Sequence, residues 1–260
     1  MKAKKHLGQN FLNSQKFIGD VIRASNLTKT DTVLEIGPGK GALTEPLLEV
    51  AGHVIAIEKD PELIVVLNKK FETAILEKRF TLVEGDALSV DIEDYTDKPY
   101  VLVANIPYYI TGLILRHFLS SKVQPKQMTL VVQREIATRI VSRDRKESIL
   151  SLSVGAYGTP SIIGKIPARY FSPKPKVDSA ILHIENISRD FFDKISEEEF
   201  FEFVKAGFGH KRKKLINNLE SLYPKSVLAH AFACCDVSEN TRAEELPLVL
   251  WKKLLSNVRD

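Results

Sequence analysis

Five short, apolar segments between residues 32 and 133 alternate with helical stretches, and this alternation constrains the fold more than any other feature. They are TVLEI (32–36), HVIAIE (53–58), FTLVEGD (80–86), YVLVANIPY (100–108) and MTLVVQ (128–133). Strands that are apolar on both faces and separated by helices are typical of a parallel sheet with helices on both sides. We therefore predict an α/β protein whose ligands bind at the carboxyl ends of the strands.

The pattern changes after residue 150. The segments SLSVGAYG, SIIGKI and SAILHIE indicate short strands, added antiparallel to the sheet. From about residue 188 the chain is predicted to be helical, because Phe200, Phe203, Val204, Gly207 and Phe208 follow the helical spacing i, i+3, i+4, i+7, i+8. We predict a first domain over residues 1–187 and a small helical domain over residues 188–260.

The composition is that of a globular protein rather than a membrane protein. The chain has 260 residues, of which 44% are hydrophobic and 27% charged, and this length suits one large and one smaller domain. No apolar run approaches the roughly 20 residues that span a bilayer, and no apolar segment follows the basic N-terminus. We expect a cytoplasmic protein, and the adjacent Cys234 and Cys235 are expected to be reduced thiols rather than a disulfide or metal ligands.

Basic residues are clustered along the chain, although the net charge is only +4. The clusters are MKAKKH (1–6), RDRK (143–146), KPK (174–176) and HKRKK (210–214), and the last two lie near Phe171 and Phe208. Any one of these clusters could simply be a charged part of the surface that contacts only solvent. Together they indicate a polyanionic partner and favour RNA.

A glycine-rich turn follows the first predicted strand. It is Glu35-Ile-Gly37-Pro-Gly39-Lys-Gly41, and Glu58, at the end of the second strand, lies 21 positions after Gly37. Glycines let the backbone approach a ligand closely, and a carboxylate at the second position can accept hydrogen bonds from ribose hydroxyls. These features do not choose between a dinucleotide and S-adenosylmethionine, so an NAD-dependent oxidoreductase remains an alternative.

Two further carboxylates favour S-adenosylmethionine. Glu35 could orient the glycine turn or help to meet the cationic amino group of the methionine moiety. Asp86, with Ala87, ends the third strand in GDAL, where a carboxylate suits the exocyclic amine of an adenine. Asp86 could equally cap the helix that follows.

The fourth strand ends in Asn105-Ile-Pro107-Tyr108. Adenine N6 is a poor nucleophile because its lone pair is delocalised into the ring, and two acceptors that receive both N6 protons would withdraw the lone pair from conjugation. The Asn105 side-chain oxygen and a backbone carbonyl beside Pro107 could be these acceptors, and Tyr108 offers a ring on which the base can stack. No metal is required. The alternative is an ordinary strand-to-loop turn with a buried tyrosine.

The motifs together resemble the KsgA-type ribosomal RNA adenine dimethyltransferases, which are related to the Erm 23S methyltransferases. The similarity extends almost from end to end, and its most specific parts are GQNFL (8–12), NIPYYIT (105–111) and FSPKPKVDS (171–179). It also includes FGHKRKKLINNL (208–219) and RAEEL (242–246). The resemblance implies a Rossmann-like class I methyltransferase sheet with helices on both faces, together with a small C-terminal helical domain.

The resemblance also implies roles for individual residues. Those expected to bind the cofactor S-adenosylmethionine are Asn10, Leu12, Glu35, Gly37, Gly39, Glu58, Asp86, Ala87 and Asn105. The expected catalytic residues are Asn105, Pro107, Tyr108 and Phe171, with the flipped adenine held between the rings of Tyr108 and Phe171. The residues expected to bind RNA phosphates are Lys174, Lys176, Lys211, Arg212, Lys213 and Lys214, and the last four are expected to open a helix.

The implied reaction is dimethylation of N6 of two adjacent adenines in a 3′-terminal hairpin loop of 16S rRNA, by a monomer that acts on the immature 30S particle. The first alternative is an Erm-like enzyme that acts on 23S rRNA, and the second is a nucleic-acid-binding factor without catalysis. The chain departs from the family's pattern at residues 148–154, where SILSLSV stands in place of a Tyr-Gly pair before LSV.

Overall fold

The computed structural model describes residues 8–142 and 146–259. The described residues form two compact units, of which the first contains residues 8–137 and 159–187 and the second residues 138–142, 146–158 and 188–259. One division between the units falls between residues 187 and 188, where the boundary was predicted. Residues 138–142 and 146–158, however, belong to the second unit, although the prediction had them in the first domain.

The helices and strands follow one another in this order: β1 (Phe11–Leu12), α1 (Gln15–Ala24), β2 (Thr32–Ile36), α2 (Thr44–Val50), β3 (His53–Glu58), α3 (Pro61–Lys70), α4 (Glu72–Leu76), β4 (Phe80–Glu84), β5 (Tyr100–Asn105), α5 (Thr111–Leu119), β6 (Pro125–Gln133), α6 (Arg134–Ile140), α7 (Ile149–Gly155), β7 (Thr159–Ile166), β8 (Phe171–Ser172), β9 (Ser179–Glu185), α8 (Glu197–Gly207), α9 (Leu215–Leu219), α10 (Lys225–Cys234) and α11 (Leu248–Arg259).

The main sheet of the first unit has seven strands within the described residues, in the order β4-β3-β2-β5-β6-β9-β7. The strands from β4 to β6 are parallel, and β9 and β7 are added antiparallel at one edge. The predicted α/β fold and all five predicted strands are confirmed. The strand order reverses beside β2, because β3 lies on one side of it and β5 on the other, and such a switch point opens a crevice at the carboxyl ends of the strands.

Both faces of the sheet are buried. Val33, Val54 and Val101 belong to the core that the sheet forms with α1, α2 and α3. Their neighbours Leu34 and Leu102, whose side chains point to the opposite face, are fully buried as well. This double burial explains why the strands are continuously apolar rather than alternating.

One predicted strand is wrong. Residues of SLSVGAYG form helix α7, which begins with a capping box in which Ser148 Oγ accepts a hydrogen bond from Ser151 N (3.1 Å) and Ser151 Oγ accepts one from Ser148 N (2.7 Å). Leu152 and Ala156, four residues apart, face the core of the second unit. Serine and apolar residues alternate in this segment, which is the pattern of a half-buried strand and led to the wrong prediction. In the structure, Ser148 and Ser151 instead accept hydrogen bonds from backbone N–H groups at the start of the helix.

The second unit is helical. Its core contains Phe200, Phe203 and Val204 of α8, as the helical spacing predicted, together with Trp251 of α11. Cys235 is buried, Cys234 is exposed and both are free thiols. Among the described residues, none of the helices has the length and apolar character that crossing a membrane requires.

Two helical glycines differ in the space around them, and this difference predicts opposite effects of alanine. A Cβ at Gly207 would collide with the Trp251 ring and lie 2.8 Å from Leu215, whereas a Cβ at Gly112 of α5 would meet nothing within 4 Å. We expect Gly207→Ala to reduce the free energy of unfolding by about 1–3 kcal/mol through overpacking. Gly112→Ala is the matched control and should increase it by about 0.5–1 kcal/mol. Urea denaturation measures both, and equal effects of the two variants would contradict the packing argument.

Candidate active site

A cleft lies at the carboxyl ends of β2, β3, β4 and β5, at the switch point of the sheet. Segments from four strand ends and from the N-terminal stretch before α1 line it. The lining residues are Gly8, Gln9, Asn10, Phe11, Ile36, Gly37, Gly39, Ile57, Glu58, Lys59, Leu63, Gly85, Asp86, Ala87, Leu88, Asn105, Ile106, Pro107, Tyr108, Tyr109 and Ile110.

The glycine turn after β2 forms the floor of the cleft. Gly37 and Gly39 have φ values of +65° and +61°, which L side chains rarely adopt. A Cβ at Gly37 would meet no atom within 4 Å, whereas one at Gly39 would lie 2.8 Å from the Phe11 ring. The turn therefore presents bare backbone to the cleft at Gly37, and at Gly39 it lets the N-terminal segment pack closely.

Glu58 stands at the end of β3 and is buried. Its Oε2 accepts a hydrogen bond from Gly39 N (3.1 Å) and its Oε1 accepts one from Asp60 N (2.9 Å). Burial raises the pKa of this carboxyl, and the backbone N–H groups oppose the rise because they favour the charged form. The backbone N–H of Lys59 is a third donor to this carboxylate. A carboxylate has about four acceptor positions, so it can still accept a hydrogen bond from a ligand hydroxyl in the cleft.

Asp86 has two roles at the rim. Its Oδ1 accepts a hydrogen bond from Leu88 N (3.0 Å) within a turn, so Asp86 does not cap a helix; the next helical segment, a 3₁₀ helix over Ile92–Asp94, has Asp91 at its N-cap. Its Oδ2 forms an ion pair with Lys59 Nζ (2.8 Å). The hydrogen bond from Lys59 lowers the pKa of Asp86, and the same bond raises the pKa of Lys59. Lys59 also lines the cleft, next to Glu58, although it was not among the predicted site residues.

Asn105 is held by the N-terminal segment. Its Nδ2 donates a hydrogen bond to the backbone carbonyl of Asn10 (2.8 Å). The segment is itself anchored, because Gln9 Nε2 donates to Asp60 Oδ2 (3.2 Å) and β1 pairs with β8. The Asn105 amide is thereby oriented, with its nitrogen used by the protein and its oxygen left as an acceptor.

Tyr108 lies just after Pro107, in a short 3₁₀ helix over Tyr108–Ile110. Its hydroxyl forms a hydrogen bond with Ser179 Oγ (2.7 Å) at the start of β9, and burial raises its pKa. The ring position is therefore fixed from a strand 71 residues away in sequence. Ser179 was present in the quoted motif FSPKPKVDS, but its role depends on this contact.

Three of the residues predicted to be catalytic or to bind the cofactor lie outside the set that lines the cleft. Leu12 and Phe171 pair across β1 and β8, and both belong to the core, with only 3% and 4% of their surfaces exposed. Glu35 is fully buried, and its Oε2 accepts a hydrogen bond from Thr44 Oγ1 (2.7 Å). This bond joins Glu35 to the first residue of α2, and the two roles predicted for Glu35, at the turn and at the methionine moiety, stay predictions.

The predicted RNA-binding residues are exposed. Lys174 and Lys176 lie between β8 and β9, and Lys211, Arg212, Lys213 and Lys214 lie between α8 and α9. These last four precede α9, which begins at Leu215, so the prediction that they open a helix is wrong. The basic clusters at residues 1–6 and 143–145 lie outside the described residues.

The comparisons with known proteins give the family. The family model described as "Ribosomal RNA adenine dimethylase" matches residues 1–259. The chain belongs to this family. Its predicted membership and its predicted activity as an rRNA adenine dimethyltransferase are confirmed, and the NAD-dependent oxidoreductase is excluded.

Relatives and solved structures agree with the family. The chain is 43% identical over 258 residues to "Ribosomal RNA small subunit methyltransferase A" of Dehalococcoides mccartyi (strain CBDB1), with coverage of 98% of this chain and 88% of the relative. It is 40% identical to the protein of that name from Fusobacterium nucleatum, with coverage of 98% and 97%. The crystal structure of the 23S rRNA methyltransferase ErmE is similar at 25% identity and a TM-score of 0.80, with coverage of 96% and 100%.

Proposed function

We propose that the protein transfers methyl groups from S-adenosylmethionine to N6 of two adjacent adenines in a 3′-terminal hairpin loop of 16S rRNA, twice to each base. The observation that carries the proposal is the orientation of Asn105. Its Nδ2 donates a hydrogen bond to the Asn10 carbonyl, so its Oδ1 is available to accept a hydrogen bond from an amine in the cleft.

The cleft has the chemistry that S-adenosylmethionine requires. Gly37 leaves open space where a side chain would stand, Glu58 offers carboxylate oxygens to ribose hydroxyls, and Asp86 offers one to the exocyclic amine of the cofactor's adenine. Ala87 and Asn10 complete the lining that we assign to the cofactor. When bound, S-adenosylmethionine supplies an electrophilic methyl group on a sulfonium sulfur.

The protein's part in the reaction is to prepare the adenine amine. In the first transfer, Asn105 Oδ1 accepts a hydrogen bond from one N6–H group and a backbone carbonyl accepts one from the other, which draws the lone pair out of the ring; in the second transfer, one N6–H group remains to donate. The Pro107 carbonyl already accepts a hydrogen bond from Ile110 N (3.2 Å), so we assign the second acceptor to the Ile106 carbonyl. One N6 proton passes to solvent in each transfer.

The target base stacks on Tyr108, whose ring is fixed by Ser179 and lines the cleft. Stacking on an aromatic ring contributes about 1–3 kcal/mol per base. Phe171 can stack on the other side of the target base only if the β1–β8 pair, in which Leu12 lies opposite Phe171, separates. In this structure the ring of Phe171 is buried. We keep Phe171 in this role on that condition.

The small-subunit target is supported by the relatives at 43% and 40% identity, which are named for the small subunit. The likeness to ErmE at 25% identity supports the fold and keeps 23S rRNA as the comparison substrate. We propose the immature 30S particle as the partner, and a cytoplasmic monomer as the active form.

The test is incubation with labelled S-adenosylmethionine and either unmethylated 30S particles or 23S rRNA, followed by mass analysis of the nucleosides. We expect N6,N6-dimethyladenine in 16S rRNA and none in 23S rRNA. Label in 23S rRNA alone would replace the proposal with the Erm-like function, and label in neither RNA would refute both.

A further inference from the structure

The loop over residues 208–214, between α8 and α9, carries a high density of positive charge, and we call it the basic loop. Its cations are Lys211, Arg212, Lys213 and Lys214, and all four are exposed. Within the described part of the chain, no ion pair neutralises them. Four adjacent like charges repel one another, so a fixed shape of this loop requires other contacts to hold it.

The buried side chain of Asn218, in α9, makes contacts that hold the backbone of the loop. Its Nδ2 donates one hydrogen bond to the carbonyl of Gly207 (2.6 Å), the last residue of α8, and another to the carbonyl of His210 (3.1 Å). The backbone N–H of Asn218 donates to the Lys214 carbonyl (3.3 Å) at the other end of the loop. One buried residue thus connects the start, the middle and the end of the basic loop.

The chemistry of this position favours an amide. Both Nδ2 protons are used, whereas Asn218 Oδ1 is buried without a hydrogen-bond partner among the described residues. A buried acceptor without a partner costs free energy, so the contribution of this side chain lies in its two donors. Gly207, which receives the shorter bond, cannot move towards the core because Trp251 and Leu215 fill the space beside it.

We propose that Asn218 is a positioning residue that holds the basic loop in the shape in which its cations contact RNA phosphates. The proposal rests on the proposed function only in that the partner is RNA. Each phosphate contact releases counterions, so the salt dependence of binding counts the contacts. A loop that loses its shape should make fewer phosphate contacts at the same time. The slope of log affinity against log salt concentration should then become shallower.

The experiment compares Asn218→Ala and Asn218→Leu with the wild-type protein and with Asn217→Ala, the exposed neighbour in the same helix. Asn218→Leu keeps the approximate volume and the charge and removes the two donors, which separates their loss from a cavity. Limited trypsin digestion reports the order of the loop directly, since all four cations are trypsin sites. Affinity for unmodified 16S rRNA transcript is measured between roughly 50 and 200 mM salt.

We expect cleavage within the basic loop to accelerate roughly tenfold or more in both Asn218 variants, since two hydrogen bonds no longer oppose opening of the loop. The slope of log affinity against log salt should fall by about 1–2, out of the roughly 3–4 that removal of all four cations would cost. Asn217→Ala should match the wild-type protein in both measurements.

Unchanged cleavage and slope in both Asn218 variants would overturn the proposal. Faster cleavage with an unchanged slope would also overturn it, because the shape of the loop would then not matter for binding. Cleavage throughout the second unit would show that Asn218 stabilises the unit as a whole rather than positioning the loop. None of these outcomes bears on methylation by the wild-type protein, so failure here is distinguishable from failure of the proposed function.

Discussion

Replacing Asn105 by alanine is expected to slow adenine methylation by about 10²–10³-fold at saturating methyl donor, which is the usual cost of one lost hydrogen-bonding group that acts on the reacting atoms. Alanine removes the Oδ1 acceptor and also the bond from Nδ2 to the Asn10 carbonyl. Single-turnover methylation of 30S particles measures the chemical step separately from binding. RNA affinity should change much less than this rate, because the residues proposed to contact RNA phosphates do not include Asn105.

Asn105→Asp distinguishes the two roles of this amide. Aspartate keeps an acceptor oxygen but places a second oxygen against the Asn10 carbonyl, where the nitrogen of Asn105 now donates (2.8 Å). If orientation by the N-terminal segment matters, Asn105→Asp should be slowed nearly as much as Asn105→Ala. A near-normal rate in Asn105→Asp would mean that the acceptor alone suffices, and a near-normal rate in Asn105→Ala would exclude the acceptor role. Asn217→Ala is the control for loss of an amide at the surface.

The sheet and the floor of the cleft could be predicted because their causes are local. Strands β2 and β5 are buried on both faces and end in glycine or proline, so their sequences show both where they run and where they stop. Functional side chains of an α/β sheet gather at these ends. Gly37, Glu58, Asp86 and Asn105 were therefore found from position along the chain, and all four line the cleft.

The contacts that orient these residues could not be predicted, because they join distant parts of the chain. Lys59 reaches Asp86 across two strand ends, and Ser179 reaches Tyr108 across 71 positions. The hydrophobic periodicity of the sequence shows which segments are strands or helices, but it does not show which side chains of two such segments are in contact. The same limit explains Phe171, whose place opposite Tyr108 came from a motif, while the pairing of β1 with β8 covers its ring in this structure.

Glu35 is a predicted site residue that is buried in the protein and does not belong to the set that lines the cleft. Thr44 Oγ1 donates a hydrogen bond to it (2.7 Å). Burial raises the pKa of this carboxyl to about 8, the Thr44 bond opposes the rise, and the nearby Glu58 adds to it. The folded protein therefore holds a proton on Glu35 at neutral pH, where the unfolded chain, with the ordinary value of 4.5, does not.

This difference makes stability depend on pH in a defined direction. Between pH 4.5 and about 8 the folded state binds one more proton than the unfolded state at this residue, so the contribution of Glu35 is full at low pH and is lost as the pH rises through the folded pKa. In this pH range, the contribution of Glu35 to the free energy of unfolding falls by roughly 1.4 kcal/mol per pH unit. Other carboxylates, such as Asp31 with its lowered pKa, have the opposite pH dependence. The contribution of Glu35 is therefore measured as the difference in free energy of unfolding between the wild-type protein and a variant that lacks this carboxyl group.

Glu35→Gln keeps the shape and removes the titration. We expect its free energy of unfolding, relative to the wild-type protein, to rise by about 3 kcal/mol between pH 5 and pH 8, as measured by urea denaturation at each pH. Glu49→Gln, on the exposed side of α2, is the control for loss of a surface carboxylate. A difference between Glu35→Gln and the wild-type protein that does not change with pH would show that Glu35 takes up no proton on folding. In that case the carboxyl would be ionised in the folded protein as well, which is the state that binding of the cationic amino group of a methionine moiety requires.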